Sequence, residues 1–158
     1  MNCTIRKIER RDLPSVITLL REFARFEDLT EYVEATEERL GNAMFGTNAV
    51  VEGLIAMDGE TAVAYALFFP NFSSFRAQLG FYLDDLYITE AYRGKGVGEA
   101  MLDEIARMAA SRGFERIDFQ VLDWNAPAIG FYKKLGAYSN DEETHFTFTD
   151  DAFRKLAS

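Results

Sequence analysis

Six consecutive residues, Arg93-Gly94-Lys95-Gly96-Val97-Gly98, are the part of this chain best suited to holding a charged ligand. Glycines let successive backbone N–H groups converge with no Cβ in the way. A helix starting just after them adds the partial positive charge of its N-terminus. Arg93 and Lys95 contribute two full positive charges in an acidic protein. The combination suits a pyrophosphate. Two common phosphate motifs do not fit. A P-loop needs Gly-x-x-x-x-Gly-Lys-Ser/Thr, and Lys95 is followed by Gly96. The dinucleotide fingerprint Gly-x-Gly-x-x-Gly fails because Glu99 stands where its third glycine belongs.

Two further groups could move protons. Asp84 and Asp85 sit side by side in an otherwise apolar run, where acidic pairs are unusual. Neighbouring strand residues point to opposite faces, so only one would face a given cleft unless the strand bulges there. Tyr132 lies on a helix that Asn125 opens, and a phenol with a reference pKa of about 10 can donate a proton to a leaving anion. It could equally pack on the sheet beside Ile129 and Leu135. Asn125 can cap its own helix, reach a bound ligand, or both. His145 reads as strand packing rather than a base. A single Cys, Cys3, excludes an internal disulfide, and with one His it cannot build a Cys/His zinc site. No metal is expected.

The elements that must position these groups follow from periodicity. Thr4 to Ile8 reads as a strand, and Asp12 as the cap of an amphipathic helix running to about Phe26. Glu27 to Thr36 reads as an acidic loop and Glu37 to Phe45 as a second helix. Strands at 50–57 and 61–69 flank Asp58-Gly59, a hairpin signal, and residues 71–74 break the sheet. Leu79 to Ile88 is a long strand leading to the glycine turn. The helix after that turn carries Val97, Met101, Leu102, Ile105, Ala106 and Ala109 on its apolar face. Ile117, Phe119 and Val121 alternate in a further strand; Gly136 stops the helix that Asn125 begins. A terminal strand at 145–148 and a short last helix complete a mixed α/β domain, residues 1–158, with helices against a central sheet.

Composition narrows the partners. The 158 residues carry 17 Lys+Arg and 26 Asp+Glu, a formal charge of −9. An acidic surface repels phosphates, which argues against nucleic acid and anionic membranes. The apolar run Ala62–Phe69 is far short of the ~20 residues a membrane helix needs. The opening residues lack a secretory h-region, so a cytoplasmic protein is expected.

The glycine turn, between a strand and a helix, resembles the Gln/Arg-x-x-Gly-x-Gly/Ala motif of the GCN5-related N-acetyltransferases (GNAT). The segments Val121-Leu122-Asp123-Trp124-Asn125 and Phe131-Tyr132-Lys133-Lys134-Leu135-Gly136-Ala137 are similar to that superfamily's second signature. Ile5-Arg6, Arg25-Phe26-Glu27 and Tyr82-Leu83-Asp84-Asp85 look like the diamine and thialysine acetyltransferases, and Phe153 to Ala157 like the thialysine branch. The likeness spans Ile5 to Ala157. Four departures fall on the amine side: those relatives have Glu-Asp where this chain has Asp84-Asp85, the hairpin around Asp58-Gly59 is shorter here, the segment Asp141 to Thr144 is one residue short, and the Trp after their late acidic residues is missing.

The resemblance implies direct transfer of an acetyl group from acetyl-CoA to the primary amine of a small cationic substrate. It implies Asp84 as base, directly or through water, and Tyr132 as acid. It places Leu86, Tyr87 and Ile88 along the pantetheine arm like an added strand. Arg93, Gly94, Lys95, Gly96, Val97, Gly98 and Glu99, with Asn125, Pro127, Ala128 and Tyr132, would hold the rest of the CoA. Phe26, Glu27, Asp84, Asp85 and Glu143 would line the amine site. A homodimer is implied as well. Rival readings are a protein lysine or N-terminal acetyltransferase and a CoA-binding module without turnover.

Overall fold

A computed structural model describes residues 2–158. They fall into two compact units, one running to Gln120 and the other from Val121 to Ser158.

The first unit is a five-stranded sheet in the order β1 (Thr4–Lys7), β2 (Glu52–Asp58), β3 (Thr61–Ser73), β4 (Gln78–Ile88), β5 (Arg116–Phe119). All pairings are antiparallel except β4 with β5, so the sheet is mixed. Helices α1 (Leu13–Phe26) and α2 (Glu37–Phe45) lie on one face, where Leu13, Val16 and Leu19 bury against Ile55, Tyr65 and Leu67. Helix α3 (Val97–Ser111) covers the other, with Val97, Met101 and Ile105 packed on Val63, Phe68 and Phe81. The expected α/β class, with helices flanking a central sheet, is the one observed.

Three local expectations change. Asp12 stands at the start of α1 but its side chain makes no capping bond there. Its carboxylate takes two hydrogen bonds from the Arg6 guanidinium, at 2.7 and 2.9 Å, and one from the Glu9 N–H, tying β1 to the approach of the helix. Second, β3 does not stop at Phe69 but continues to Ser73. Beyond Phe68 its partner β2 has ended, and such a one-sided stretch tolerates Pro70, which has no N–H to give. Third, β5 ends at Phe119 rather than including Val121.

The second unit contains α4 (Ala126–Lys134) and α5 (Asp150–Ala157). The terminal strand expected at 145–148 is not formed. A strand persists only when a neighbour takes up its backbone groups, and no ladder includes these residues. Phe146 and Phe148 remain 86% and 66% exposed.

Candidate active site

The acidic pair is placed by a bulge in β4. Leu83 pairs with Phe68 and Asp85 with Leu67, so Asp84 is an extra residue in the ladder. Leu83 and Leu86 both pack on the core beneath α3, although three residues apart. Regular alternation would send them to opposite faces. The bulge therefore turns Asp84 and Asp85 together toward the α1 face. Glu27 joins them at the end of α1, close enough that its charge is felt by Asp85.

Asp84 is exposed at the bulge, and Glu27 and Asp85 are half-buried. Burial pushes the Glu27 and Asp84 carboxyls above their ordinary range. Asp85 is raised to about 6, first by burial and then by the charges of Asp84 and Glu27, while a hydrogen bond from Tyr65 works the other way. The Tyr65 hydroxyl donates to Asp85 Oδ2 at 2.8 Å. Three carboxylates gathered in one place, each raised by burial, suit a cationic group. Tyr65 was not among the residues singled out from sequence. A tyrosine inside the apolar run Ala62–Phe69 is the signal that could have found it, since a buried hydroxyl needs a partner.

The same strand offers an open edge. β5 pairs with β4 only from Gly80 to Leu83, leaving the stretch past the bulge without a β5 neighbour. The Thr89 N–H donates to the Val63 carbonyl at 2.9 Å, which fixes the phase of the β3–β4 ladder. Tyr87 and Asp85 then turn their backbone groups toward β3, and Leu86 and Ile88 turn theirs toward the open edge. Of the residues placed along the pantetheine arm, Leu86 and Ile88 thus have N–H groups available at the edge, while Tyr87's is directed at Tyr65.

The glycine turn follows. Gly94 and Gly96 have φ of 71° and 86°, a left-handed region that only glycine enters cheaply. Gly96 caps α3, and Val97, 1% exposed, anchors the first turn in the core. Gly98 and Glu99 lie in that turn, where free N–H groups collect. Lys95 is exposed, its Nζ 5.3 Å from the Tyr92 ring centroid. Arg93 folds back instead: its Nε donates to the Ile88 carbonyl at 2.9 Å, and its guanidinium lies 4.5 Å from the Phe26 ring centroid and 5.4 Å from that of Tyr87. Phe26, expected at the amine site, thereby stacks under Arg93.

In the second unit, Asn125 is 8% exposed and its Oδ1 accepts the Ala128 N–H at 3.3 Å, so the capping role is realised. Pro127 and Ala128 form the first turn of α4. Tyr132 lies on the same helix, its ring 5.1 Å from that of Phe131, and burial pushes its phenol up to about 12. Glu143 is exposed, held by the Asn140 side chain at 3.2 Å.

Comparison with known proteins agrees with this geometry. The model of the acetyltransferase (GNAT) family matches residues 13–137. A thialysine N-epsilon-acetyltransferase of Bos taurus is 32% identical over 97% of this chain and 96% of its own length. An L-ornithine N5-acetyltransferase of Arabidopsis thaliana is 29% identical over 96% of this chain and 86% of its own. A solved integron cassette protein from the mobile metagenome of V. cholerae shares the fold, with a TM-score of 0.81 at 23% identity over 99% of this chain and 98% of that one. The family match begins at the first residue of α1 and runs past α4, and on that extent this chain belongs to the GNAT family and is an N-acetyltransferase.

Proposed function

We propose that this protein is a single-domain enzyme that acetylates the primary amine of a small cationic substrate, a thialysine-like amino acid or a diamine or polyamine, with acetyl-CoA as co-substrate. The observation that carries the reading is the β4 bulge, which turns Asp84 and Asp85 to one face beside Glu27. The similarity to proteins named for thialysine and ornithine supports the same class.

The residues present fit a CoA. The left-handed Gly94 and Gly96 leave open space where a side chain would stand, which suits N–H groups gathering on a pyrophosphate. The open edge at Leu86 and Ile88 suits a strand-like amide arm. Acetyl-CoA supplies an activated thioester; everything else falls to the chain.

An alkylammonium has a pKa of ~10.4 and cannot attack until it loses a proton. Asp85 and Glu27 hold the cation, and Asp84 accepts the proton, directly or through water. Asp is one methylene shorter than Glu, which favours the water. Burial makes Asp84 a stronger base than a free carboxylate. The Ile88 N–H donates to the oxygen on which negative charge develops. Tyr132 keeps its proton at neutral pH and gives it to the departing sulfur. Phe72 and Phe75 are 59% and 104% exposed at the end of the β3–β4 hairpin, which supports a homodimer; sedimentation tests it. The working compartment is the cytoplasm.

The experiment is thiol release from acetyl-CoA with thialysine, lysine, putrescine and spermidine, beside a lysine-containing peptide. Turnover of free amines bears the reading out. Turnover of the peptide alone, or CoA binding with no turnover, refutes it.

A further inference from the structure

Tyr65 is an odd occupant of its position. It is 0% exposed in the middle of β3, between Ala64 and Ala66, where a phenylalanine would fill the same space. It pairs across the ladder with Tyr87, and Asp85 pairs with Leu67. Tyr65 and Asp85 are therefore diagonal neighbours, at a separation an aromatic side chain can span. The hydroxyl reaches Asp85 Oδ2 at 2.8 Å. Burial and the adjacent acid push the phenol far above its ordinary value, so Tyr65 remains a donor and exchanges no proton itself. Facing Asp85 are Asp84 on its own strand, Tyr65 on β3 and Glu27 at the end of α1. Two of these three repel a charged Asp85. Only Tyr65 stabilises it.

We propose that Tyr65 is a positioning residue of the amine site: its buried hydroxyl fixes the Asp85 carboxylate in one orientation and favours its charged form, so that Asp85 meets the substrate's ammonium while Asp84 is left for the proton. This rests on the reading of Asp85 as a substrate anchor. The bulge brings both acids to one face, and without a fixed hydrogen bond they would compete for one cation and one proton. Tyr65 makes the two neighbours unequal.

The test is Tyr65→Phe, which removes only the hydroxyl. With thialysine or spermidine as the amine, KM is expected to rise about tenfold, the scale of one lost hydrogen bond to a charged group. Amine binding weakens as Asp85 takes up a proton near pH 6, and that midpoint is expected to move upward in the variant. CoA affinity, measured by calorimetry, stays at the wild-type value. Asp85→Asn is expected to raise the amine KM and to abolish the midpoint near pH 6, and in that background Tyr65→Phe adds no further rise in KM. Wild-type amine KM and midpoint in Tyr65→Phe, with Asp85→Asn impaired, overturn the role of Tyr65 alone. Unaltered amine kinetics in Asp85→Asn remove the anchor and Tyr65's role with it. Loss of CoA binding together with amine binding in Tyr65→Phe marks a packing role and also overturns the proposal.

Discussion

Tyr132 binds its proton more tightly than a free phenol because burial disfavours the phenolate. A thiolate leaving group of pKa ~8.5 needs a donor that is still protonated at working pH, and Tyr132 is one. Tyr132→Phe is expected to lower kcat at least about tenfold, the smaller end of general-acid contributions, with CoA affinity unchanged by calorimetry. Unaltered turnover would remove Tyr132 from the role. Asp85 illustrates the opposite cost. Its pKa rises from 3.8 to about 6 on folding, so between those values the folded form binds the proton that the unfolded form has released. Stability therefore falls as pH rises through that window, and the full penalty is present at neutral pH. Asp85→Asn is expected to stabilise the protein at pH 7 by ~1–3 kcal/mol, with the gain vanishing near pH 4, as thermal melts at both pH values will show. Carboxyls perturbed in this way concentrate at functional sites.

At the scale of elements, what was legible in the sequence is what local chemistry dictates. The turn at Gly94 and Gly96, the cap at Asn125 and the apolar stripe of α3 each depend on residues within one turn, and each is realised, save that Ala106 of the stripe is exposed. The possibility of a bulge at Asp84-Asp85 was legible because two adjacent acids cannot otherwise share a face. The hydrogen bond from Tyr65 was not, because it depends on register, which pairs Leu67 with Asp85 across the ladder. The segment 145–148 fails as a strand for the related reason that alternation in one segment does not create its partner. The position of Asp12 predicts a cap, yet Arg6 on β1 competes for it and wins with two charged hydrogen bonds. That pair holds Asp12 below the usual carboxylate range, so its contribution is present above the unfolded value of 3.8 and is lost as pH falls through the lower folded value. Asp12→Asn is accordingly expected to cost ~1–3 kcal/mol at neutral pH in denaturant melts, with a smaller difference in acid. For the glycine turn, nothing among the described residues beyond the chain neighbours lies within 4 Å of a Cβ added at Gly94 or Gly96, so alanine there is opposed by backbone conformation. Gly96→Ala is expected to weaken CoA binding about three- to tenfold by forcing the turn out of its left-handed geometry.

For the whole molecule, the −9 charge takes on a direction in the first unit. Lys95 stands by the glycine turn, and Glu27, Asp84 and Asp85 gather on the α1 face of β4. An acidic protein that focuses three carboxylates at one site draws in cations and loses that advantage in salt. Raising NaCl from about 0.05 M to about 0.5 M is expected to lower kcat/KM for spermidine at least about threefold, through KM rather than kcat. The most direct test of the account is the mass of the amine after incubation with acetyl-CoA and enzyme. Conversion of thialysine, putrescine or spermidine to a mono-N-acetyl product, in step with free CoA thiol, is the result the acidic site leads to. Acetylation of a peptide while every free cationic amine comes back unchanged would contradict it.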